Sequence, residues 1–307
     1  MPTIVVVDSS YLIFRSYYAY PHLNTGEKPT GAFFGYAKTI HKLIKDYKPD
    51  YLYIAGDLPT PTWRHKILSS YKAGRPEPSN ELKYQFPIVQ EYAKLIASGY
   101  YTIDGYEADD IILNLAVKFM QEDKNSKIII FSADRDLYQI LVEPNVFFVR
   151  DENLFGRVEF EEKYGVKAEQ WVDYKALIGD ASDNLKGVSG IGPKTATTIL
   201  NNCGTLTNVF AYLDDLEVEP TTREYLDKNP KIVAKIRTDF EILNQTFELA
   251  TLQMIPELEI LKQSHDLTKG KGMFEEYNFK SLLLEIEKTE KARDLQNAKS
   301  GGSESLF

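Results

Sequence analysis

The stretch Asp104-Gly105-Tyr106-Glu107-Ala108-Asp109-Asp110, running directly into Ile111-Ile112-Leu113-Asn114-Leu115-Ala116, organises the reading of this chain. Gly105 marks a turn, and the apolar run after Asp110 predicts a helix. Acidic side chains in a first helical turn meet free N–H groups, so one or two would be ordinary. Three within four positions repel one another wherever water is scarce, and they suggest a cation.

The same theme recurs upstream. Ile4-Val5-Val6-Val7 reads as a buried strand ending at Asp8, followed by an aromatic helix over 11–20 that carries Tyr11 and Arg15. A helical period over 31–47 leads to the strand Tyr51-Leu52-Tyr53-Ile54-Ala55, which runs into Asp57. Strand, helix, strand with an acid at each strand end is a βαβ pattern, and ligands in such sheets gather beyond the carboxyl ends of the strands. A helix over 81–98 and a short strand at Tyr101-Thr102-Ile103 bring the chain back to the acidic stretch.

Downstream, Lys127-Ile128-Ile129-Ile130-Phe131 is a strand ending in Ser132-Ala133-Asp134-Arg135-Asp136-Leu137. If the chain stays extended there, Asp134 and Asp136 point the same way. Val146-Phe147-Phe148-Val149 is another strand, and 151–156 is a hairpin or loop. Residues 1–172 are therefore expected to form an α/β domain with a largely parallel sheet of about five strands. From Trp171 the strand signals stop. Helices are expected over 172–178, up to Leu200, and over 204–213, 221–228, 230–250 and 274–295, with an extended piece within 252–261. Residues 173–290 read as a mostly helical second domain, and 291–307 as a charged helix end with a flexible linker, Lys299-Ser300-Gly301-Gly302-Ser303, and tail.

Composition excludes several classes. The 43% apolar and 26% charged residues are those of an ordinary globular protein. No apolar run approaches a membrane span, and the chain enters its first strand without a basic leader, so a cytoplasmic protein without membrane contact is expected. Cys203 is the single cysteine, which leaves no disulfide framework and no thiolate metal site. A net charge of −9 argues against nucleic acid, but local balance matters more: Arg64, Lys66, Lys72, Arg75 and Lys83 stand against only Glu77 and Glu81.

Collected, the acids at strand ends and turns are Asp8, Asp57, Glu107, Asp109, Asp110, Asp134, Asp136, Asp180 and Asp183. Asp180 and Asp183 lie three apart around the turn Gly179-Asp180-Ala181-Ser182-Asp183-Asn184. Singly, each has an ordinary reading: Asp8 and Asp57 as helix N-caps, Asp134 as a turn with its own backbone. Jointly, they require cations in any shared crevice, and oxygen-only ligands point to Mg²⁺ or Mn²⁺ over zinc. Two such ions about 4 Å apart activate water and stabilise both oxygens of a phosphoryl displacement. His22, His41, His65 and His265 are scattered, so histidine general-base catalysis is not expected.

Residues 58–83 break the rhythm, with Pro59, Pro61, Pro76 and Pro78 around Trp63-Arg64-His65-Lys66 and Tyr71-Lys72-Ala73-Gly74-Arg75. This is a mobile insert or an irregular surface loop. Tyr71, Lys72 and Arg75 suit a base and a phosphate, unless Tyr71 packs inward beneath a solvated basic face. Gly187-Val188-Ser189-Gly190-Ile191-Gly192-Pro193-Lys194-Thr195-Ala196 exposes backbone N–H groups ahead of a helix N-terminus. It lacks the Gly-Lys-Ser/Thr ending of a nucleotide-binding P-loop, which leaves a helix-hairpin-helix contact with duplex DNA or a plain interhelical turn.

At these residues the chain resembles the structure-specific 5′-nucleases, in particular the 5′→3′ exonuclease domain of bacterial DNA polymerase I and its stand-alone and phage relatives. The resemblance rests on Val7-Asp8-Ser9 with Phe14-Arg15, Asp57, Tyr71-Lys72-Ala73-Gly74-Arg75, Tyr106-Glu107-Ala108-Asp109-Asp110, Ser132-Ala133-Asp134-Arg135-Asp136-Leu137, and 179–184 leading into Gly190-Ile191-Gly192-Pro193-Lys194-Thr195-Ala196. It implies a PIN-like core, a helical arch from 58–83, and a K⁺-assisted helix-hairpin-helix. Asp8, Asp57, Glu107, Asp109 and Asp110 would serve one metal, and Asp134, Asp136, Asp180 and Asp183 a second. Lys72 and Arg75 would act on the scissile phosphate. Tyr11, Arg15, Arg64, Tyr71, Lys186, Gly190, Gly192, Lys194 and Thr195 would contact DNA. Ala133, Lys186 and Ser189 depart from the family pattern, Lys186 adding a charge near DNA.

The implied activity is removal of 5′ flaps and RNA primers by a free-standing, monomeric nuclease of a bacterium, phage or organelle. Ser303-Glu304-Ser305-Leu306-Phe307 resembles short sliding-clamp-binding peptides, without their leading Gln, and reads equally as a disordered tail. The rival readings are a non-catalytic DNA junction binder and a single-strand ribonuclease.

Overall fold

The computed structural model describes the backbone of residues 1–301 and the side chains of residues 1–291. In chain order the elements begin with β1 (Thr3–Asp8), α1 (Ser9–Ala19), the short β2 (Asn24–Thr25) and β3 (Lys28–Pro29), α2 (Gly31–Tyr47) and β4 (Tyr51–Ala55). A helical insert, α3 (Trp63–Ile67) and α4 (Asn80–Ile96), leads to β5 (Gly99–Tyr101), α5 (Ala108–Glu122) and β6 (Lys127–Phe131). Next come β7 (Val146–Arg150), β8 (Asn153–Phe155), α6 (Arg157–Tyr164), α7 (Trp171–Ile178), β9 (Gly179–Asp180) and β10 (Leu185–Lys186). Helices α8 (Pro193–Cys203), α9 (Leu206–Leu213), α10 (Pro220–Lys228), α11 (Pro230–Thr238), α12 (Phe240–Ala250), α13 (Lys271–Glu276) and α14 (Lys280–Gly301) follow. The fold is α/β with both parallel and antiparallel strand pairs and a mostly helical C-terminal region. Among the described residues no helix is long and apolar enough to cross a membrane.

The chain forms two compact units, neither continuous in sequence. One comprises Pro2–Gly56, Pro78–Tyr101 and the chain from Glu259 onward. In it β1, β4 and β5 pair in parallel, with Val5 opposite Leu52 and Tyr53 opposite Gly99. Ile4, Val5, Val6 and Val7 are fully buried, as are Leu52, Tyr53, Ile54 and Ala55. Burial on both faces is why these strands read as unbroken apolar runs. The strand expected at 101–103 ends at Tyr101, because its partner ends at Ala55 and the last backbone bond is Gly56 N–H to Tyr101 O. Gly31 opens α2 beside the end of α1, where a Cβ would stand 1.9 Å from Tyr20 O. Only glycine fits that approach.

The other unit comprises Asp57–Glu77 and Thr102–Leu258, with Met1. Here β6 runs parallel to β7, and β7 antiparallel to β8. Tyr138, Phe160, Tyr164 and Trp171 form an aromatic core, the Phe160 and Trp171 ring centroids 5.2 Å apart. The chain does not continue extended after β6. Asp136 N–H donates to Asp134 Oδ1 at 2.8 Å, and a 3₁₀ segment, Asp136–Val142, begins at once. The side chain thus gives the backbone a local turn that competes with extension. The helix expected over 230–250 breaks at Asp239, whose φ of −103° and ψ of 22° separate α11 from α12. Helix α14 takes up residues 299–301 of the expected linker. The clamp-binding tail at 303–307 lies outside the described residues.

Candidate active site

The acidic stretch supplies the first corner of the site, in the unit that holds Asp57–Glu77 and Thr102–Leu258. Glu107 is the N-cap of α5, and its N–H donates to Asp110 Oδ2 at 3.3 Å, so Asp110 closes a capping box. Asp57 Oδ1 accepts the Ala108 N–H at 2.8 Å, capping α5 from a distant segment and not the helix that follows it in sequence. Asp110 is fully buried. Its Oδ2 also takes Trp63 Nε1 at 3.0 Å and Arg64 Nη1 at 3.1 Å, and its Oδ1 takes Arg64 Nη2 at 3.3 Å and Gln253 N at 2.8 Å. Five donors exceed the roughly four acceptor positions of a carboxylate. Asp110 is an anchor.

Arg64, expected on the DNA face, is instead 1% exposed. It pairs with Glu107 at 2.7 Å, Asp109 at 3.3 Å and Asp110, and its Nε donates to Leu249 O at 3.0 Å. A guanidinium offers five fixed donors, which suits one side chain bridging three carboxylates. Tyr71 packs inward with Leu185 and Leu249, and its hydroxyl meets Glu107 Oε2 at 3.1 Å and Asp183 Oδ2 at 3.2 Å. Lys72 donates to Glu107 Oε1 at 2.8 Å from a left-handed backbone, φ +56°, uncommon for a non-glycine residue.

The second corner joins three turns. Asp183, at the end of a short 3₁₀ turn, accepts Arg75 Nη2 at 2.6 Å, and Lys72 N–H donates to its carbonyl at 3.2 Å. Asn184 Nδ2 reaches Ser70 O at 3.0 Å. The basic segment is therefore laced onto the Asp183 turn. Asp180 caps that turn through Ser182 N–H and pairs with Lys175 Nζ. Lys175 also lies 2.7 Å from Asp136 Oδ1, a buried oxygen left without an aligned hydrogen bond. Trp171 Nε1 and Arg150 Nη1 hold the carbonyls of Arg135 and Ser132, fixing the loop that carries Asp134. Lys175 escaped the sequence reading. Its signal was a lysine inside the otherwise buried helix α7, where a charge is seldom found unpaired.

Burial pushes the Asp109 carboxyl well above the usual range, with Asp110 and Glu107 adding to it against Arg64. Asp136 is pushed up to about 6 by burial, with Lys175 opposing and Asp134 assisting. Burial would raise Asp180 too, but Lys175 and Ser182 outweigh it and hold Asp180 below its ordinary value. Lys72 and Lys175 move up in spite of burial, because carboxylates surround them. Like charges gathered in low dielectric need such cations.

Among the described residues no group of His, Cys, Asp or Glu stands ready-made around a metal position. The donor set nonetheless fits a hard divalent cation in kind. Its oxygens are carboxylates, Asp134 is half-exposed, Asp57 is exposed, and Asp136 Oδ1, which is buried, faces the Lys175 ammonium at 2.7 Å, a cation standing where another could. Arg64, Lys72, Arg75 and Lys175 pair with Glu107, Asp109, Asp110, Asp183, Asp136 and Asp180 of the same set.

Asp8, Tyr11 and Arg15 belong to the other unit, where Asp8 Oδ1 accepts Tyr11 N–H at 2.9 Å and caps α1. Tyr11 is half-buried and Arg15 exposed. In the glycine turn, Gly190 has φ +71° and Gly192 is the N-cap of α8, ahead of Pro193 at its first position. Lys186, Gly190, Gly192 and Lys194 are exposed, and Thr195 is half-buried.

Comparison with known proteins covers nearly all of this architecture. The model of the 5′-3′ exonuclease N-terminal resolvase-like domain matches residues 3–165, and that of the 5′-3′ exonuclease C-terminal SAM fold matches residues 166–271. The 5′-3′ exonuclease of Aquifex aeolicus (strain VF5) is 37% identical over 293 residues, covering 94% of this chain and 96% of that protein. The thermostable DNA polymerase I of Thermus thermophilus is 33% identical over 92% of this chain, which spans only 33% of the polymerase. A solved structure of the T5 5′-exonuclease with zinc bound matches at a TM-score of 0.63 and 25% identity, over 81% of this chain and 89% of that one. The catalytic core of Rad2 in complex with DNA substrate shares the fold at a TM-score of 0.55 and 14% identity, over 92% of both chains.

Proposed function

Because the chain belongs to the 5′-3′ exonuclease family, we propose that its carboxylates serve a divalent-metal-dependent 5′→3′ exonuclease and 5′-flap endonuclease acting on DNA and RNA primers in replication or repair. The observation that carries this reading is the pair of carboxylate corners, Glu107–Asp109 and Asp134–Asp136 with Asp180–Asp183, joined by the Tyr71 hydroxyl, which meets Glu107 and Asp183, and by Lys72, which pairs with Glu107 and donates its N–H to Asp183 O. So many acids are brought together only where cations belong. Asp57, Glu107, Asp109, Asp134, Asp136, Asp180 and Asp183 are the proposed ligands in this unit, and Asp8, at the end of β1, is a proposed ligand by the family resemblance. Asp110 is assigned to holding Arg64 and the start of α5. Divalent cations, Mg²⁺ foremost and Mn²⁺ in its place, supply charge stabilisation of the phosphate and an activated water.

The chain's own residues do the rest. Lys72 and Arg75 exchange their carboxylates for the scissile phosphate, which Arg75, with its side chain 51% exposed, is free to reach. Arg64 stays buried and keeps Glu107 and Asp109 in place. Tyr71, expected to touch DNA, is instead buried, and its hydroxyl holds Glu107 and Asp183 in place. Strand scission leaves a 5′-phosphate on the product and a 3′-hydroxyl behind.

In this reading the first 172 residues are a PIN-like catalytic portion with an arch over 58–83, and residues 173–290 grip duplex through the turn before α8. Arg15, Lys186 and Lys194 face DNA. The protein acts as a cytoplasmic monomer, and a sliding clamp takes the terminal residues 303–307. Removing them should lower activity only when a clamp is present.

Side-by-side assays on flap, nicked, gapped and blunt DNA, and on single-stranded RNA, test the proposal. Cleavage of flap and nicked DNA is expected. Binding without cleavage would favour a junction binder, and preference for single-stranded RNA a ribonuclease.

A further inference from the structure

The tip of the glycine turn is held by residues from outside its own loop. Lys235, in the last turn of α11, donates from Nζ to Gly190 O at 2.8 Å. Asp239, at the break between α11 and α12, accepts Ser189 N–H through Oδ2 at 2.7 Å. A cation thus covers the carbonyl of one tip residue and a carboxylate the N–H of its neighbour. A Cβ on Gly190 would stand 2.7 Å from Lys235 Nζ, so glycine serves both the left-handed backbone and the approach of the ammonium. Ser189, Gly190 and Lys235 are all exposed.

A turn that offers N–H groups to a phosphate also presents carbonyl oxygens, whose partial negative charge opposes the same phosphate. Something cationic over the carbonyl removes the opposition. We propose that Lys235 is a built-in cation of the duplex-binding turn: its ammonium covers Gly190 O and meets a backbone phosphate, so that the turn needs no monovalent ion from solution. Asp239, taking the Ser189 N–H, is the positioning residue that sets the angle of the tip. The proposal rests on reading the turn as a duplex contact, and it replaces the K⁺ implied by the family resemblance with a side chain of this protein.

The test uses the full chain with EDTA present, so that binding is measured without cleavage. Affinity for a 5′-flap duplex is compared in potassium chloride and in tetramethylammonium chloride at equal ionic strength, for wild type, Lys235→Met and Lys235→Arg. Equal ionic strength keeps the counterion-release contribution matched. Wild-type affinity should agree between the two salts within about two-fold. Lys235→Met should bind about five-fold more weakly in tetramethylammonium and recover part of that loss in potassium, whereas Lys235→Arg should match wild type.

A wild type that needs potassium would overturn the proposal. So would a Lys235→Met protein that binds like wild type, or one weakened equally in both salts, which is the mark of an ordinary phosphate contact. The wild-type salt exchange decides the question even where a variant fails to fold. Failure of wild type to bind duplex in either salt would instead remove the duplex reading, and the proposal with it.

Discussion

The two carboxylate corners of the candidate site are neutralised in different ways. Around Glu107 and Asp110 the central partner is Arg64, 1% exposed, tied to three acids and a carbonyl, with Lys72 beside it on Glu107 and Asp110 itself fully saturated. Around Asp134, Asp136, Asp180 and Asp183 the partners are Lys175 and Arg75, and Asp136 retains an oxygen without an aligned hydrogen bond. The first corner is built like a structural ion cluster and the second like one that can exchange partners. A buried guanidinium with fixed donors is costly to remove. At the second corner the Lys175 ammonium is a point charge that other cations can replace, and the Arg75 guanidinium, unlike that of Arg64, is half-exposed.

The largest effect is expected at Asp134. Asp134→Ala should lower flap cleavage by about a thousand-fold or more while leaving metal-free flap binding within about two-fold. Full activity in that variant would end the assignment of the second corner. Arg64→Met should lower the unfolding free energy by about 3–5 kcal/mol in urea titration, because three carboxylates lose their buried counter-charge. A loss below about 1 kcal/mol would show that the first corner is not the structural one.

Asp110→Asn sharpens the contrast. It should cost about 2 kcal/mol of stability yet leave Mn²⁺ affinity nearly unchanged, whereas Asp136→Asn should weaken Mn²⁺ binding with little change in unfolding. Titration calorimetry on both variants reads the difference directly.

The smallest effect concerns a buried acid outside both corners. Burial pushes Asp173 on α7 up to about 6, while the Leu206 N–H opposes. A carboxyl raised in the folded state destabilises as pH climbs from its ordinary value near 4 towards 6, since only the unfolded chain then loses the proton freely. Asp173→Asn should therefore gain about 1–2 kcal/mol at pH 7.5 and nothing at pH 3.5, read from thermal or urea unfolding.

Much of this architecture was legible in the sequence. Unbroken apolar runs such as Ile4–Val7 and Ile128–Phe131 mark buried strands, and acids stand at or just beyond where those runs stop. The turn before α8 was legible from its glycines and Pro193. What stayed hidden depends on residues far apart in the chain. Nothing near Arg64 announces that Leu249 will accept its Nε–H, or near Asp110 that Gln253 will fill its Oδ1. Asp134 shows a second limit. Alternation predicts an extended pair, but its short side chain captures the Asp136 N–H and bends the backbone first. The break at Asp239 has the same character, for that carboxylate is engaged with Ser189 of another segment.

The most direct test of the central claim is the rate of 5′-flap cleavage measured against added Mg²⁺ on EDTA-treated protein. No cleavage is expected without the cation, a saturable rise with it, and scission near the junction that leaves a 3′-hydroxyl. Undiminished cleavage in EDTA, or tight flap binding with no cleavage at any Mg²⁺ concentration, would contradict it.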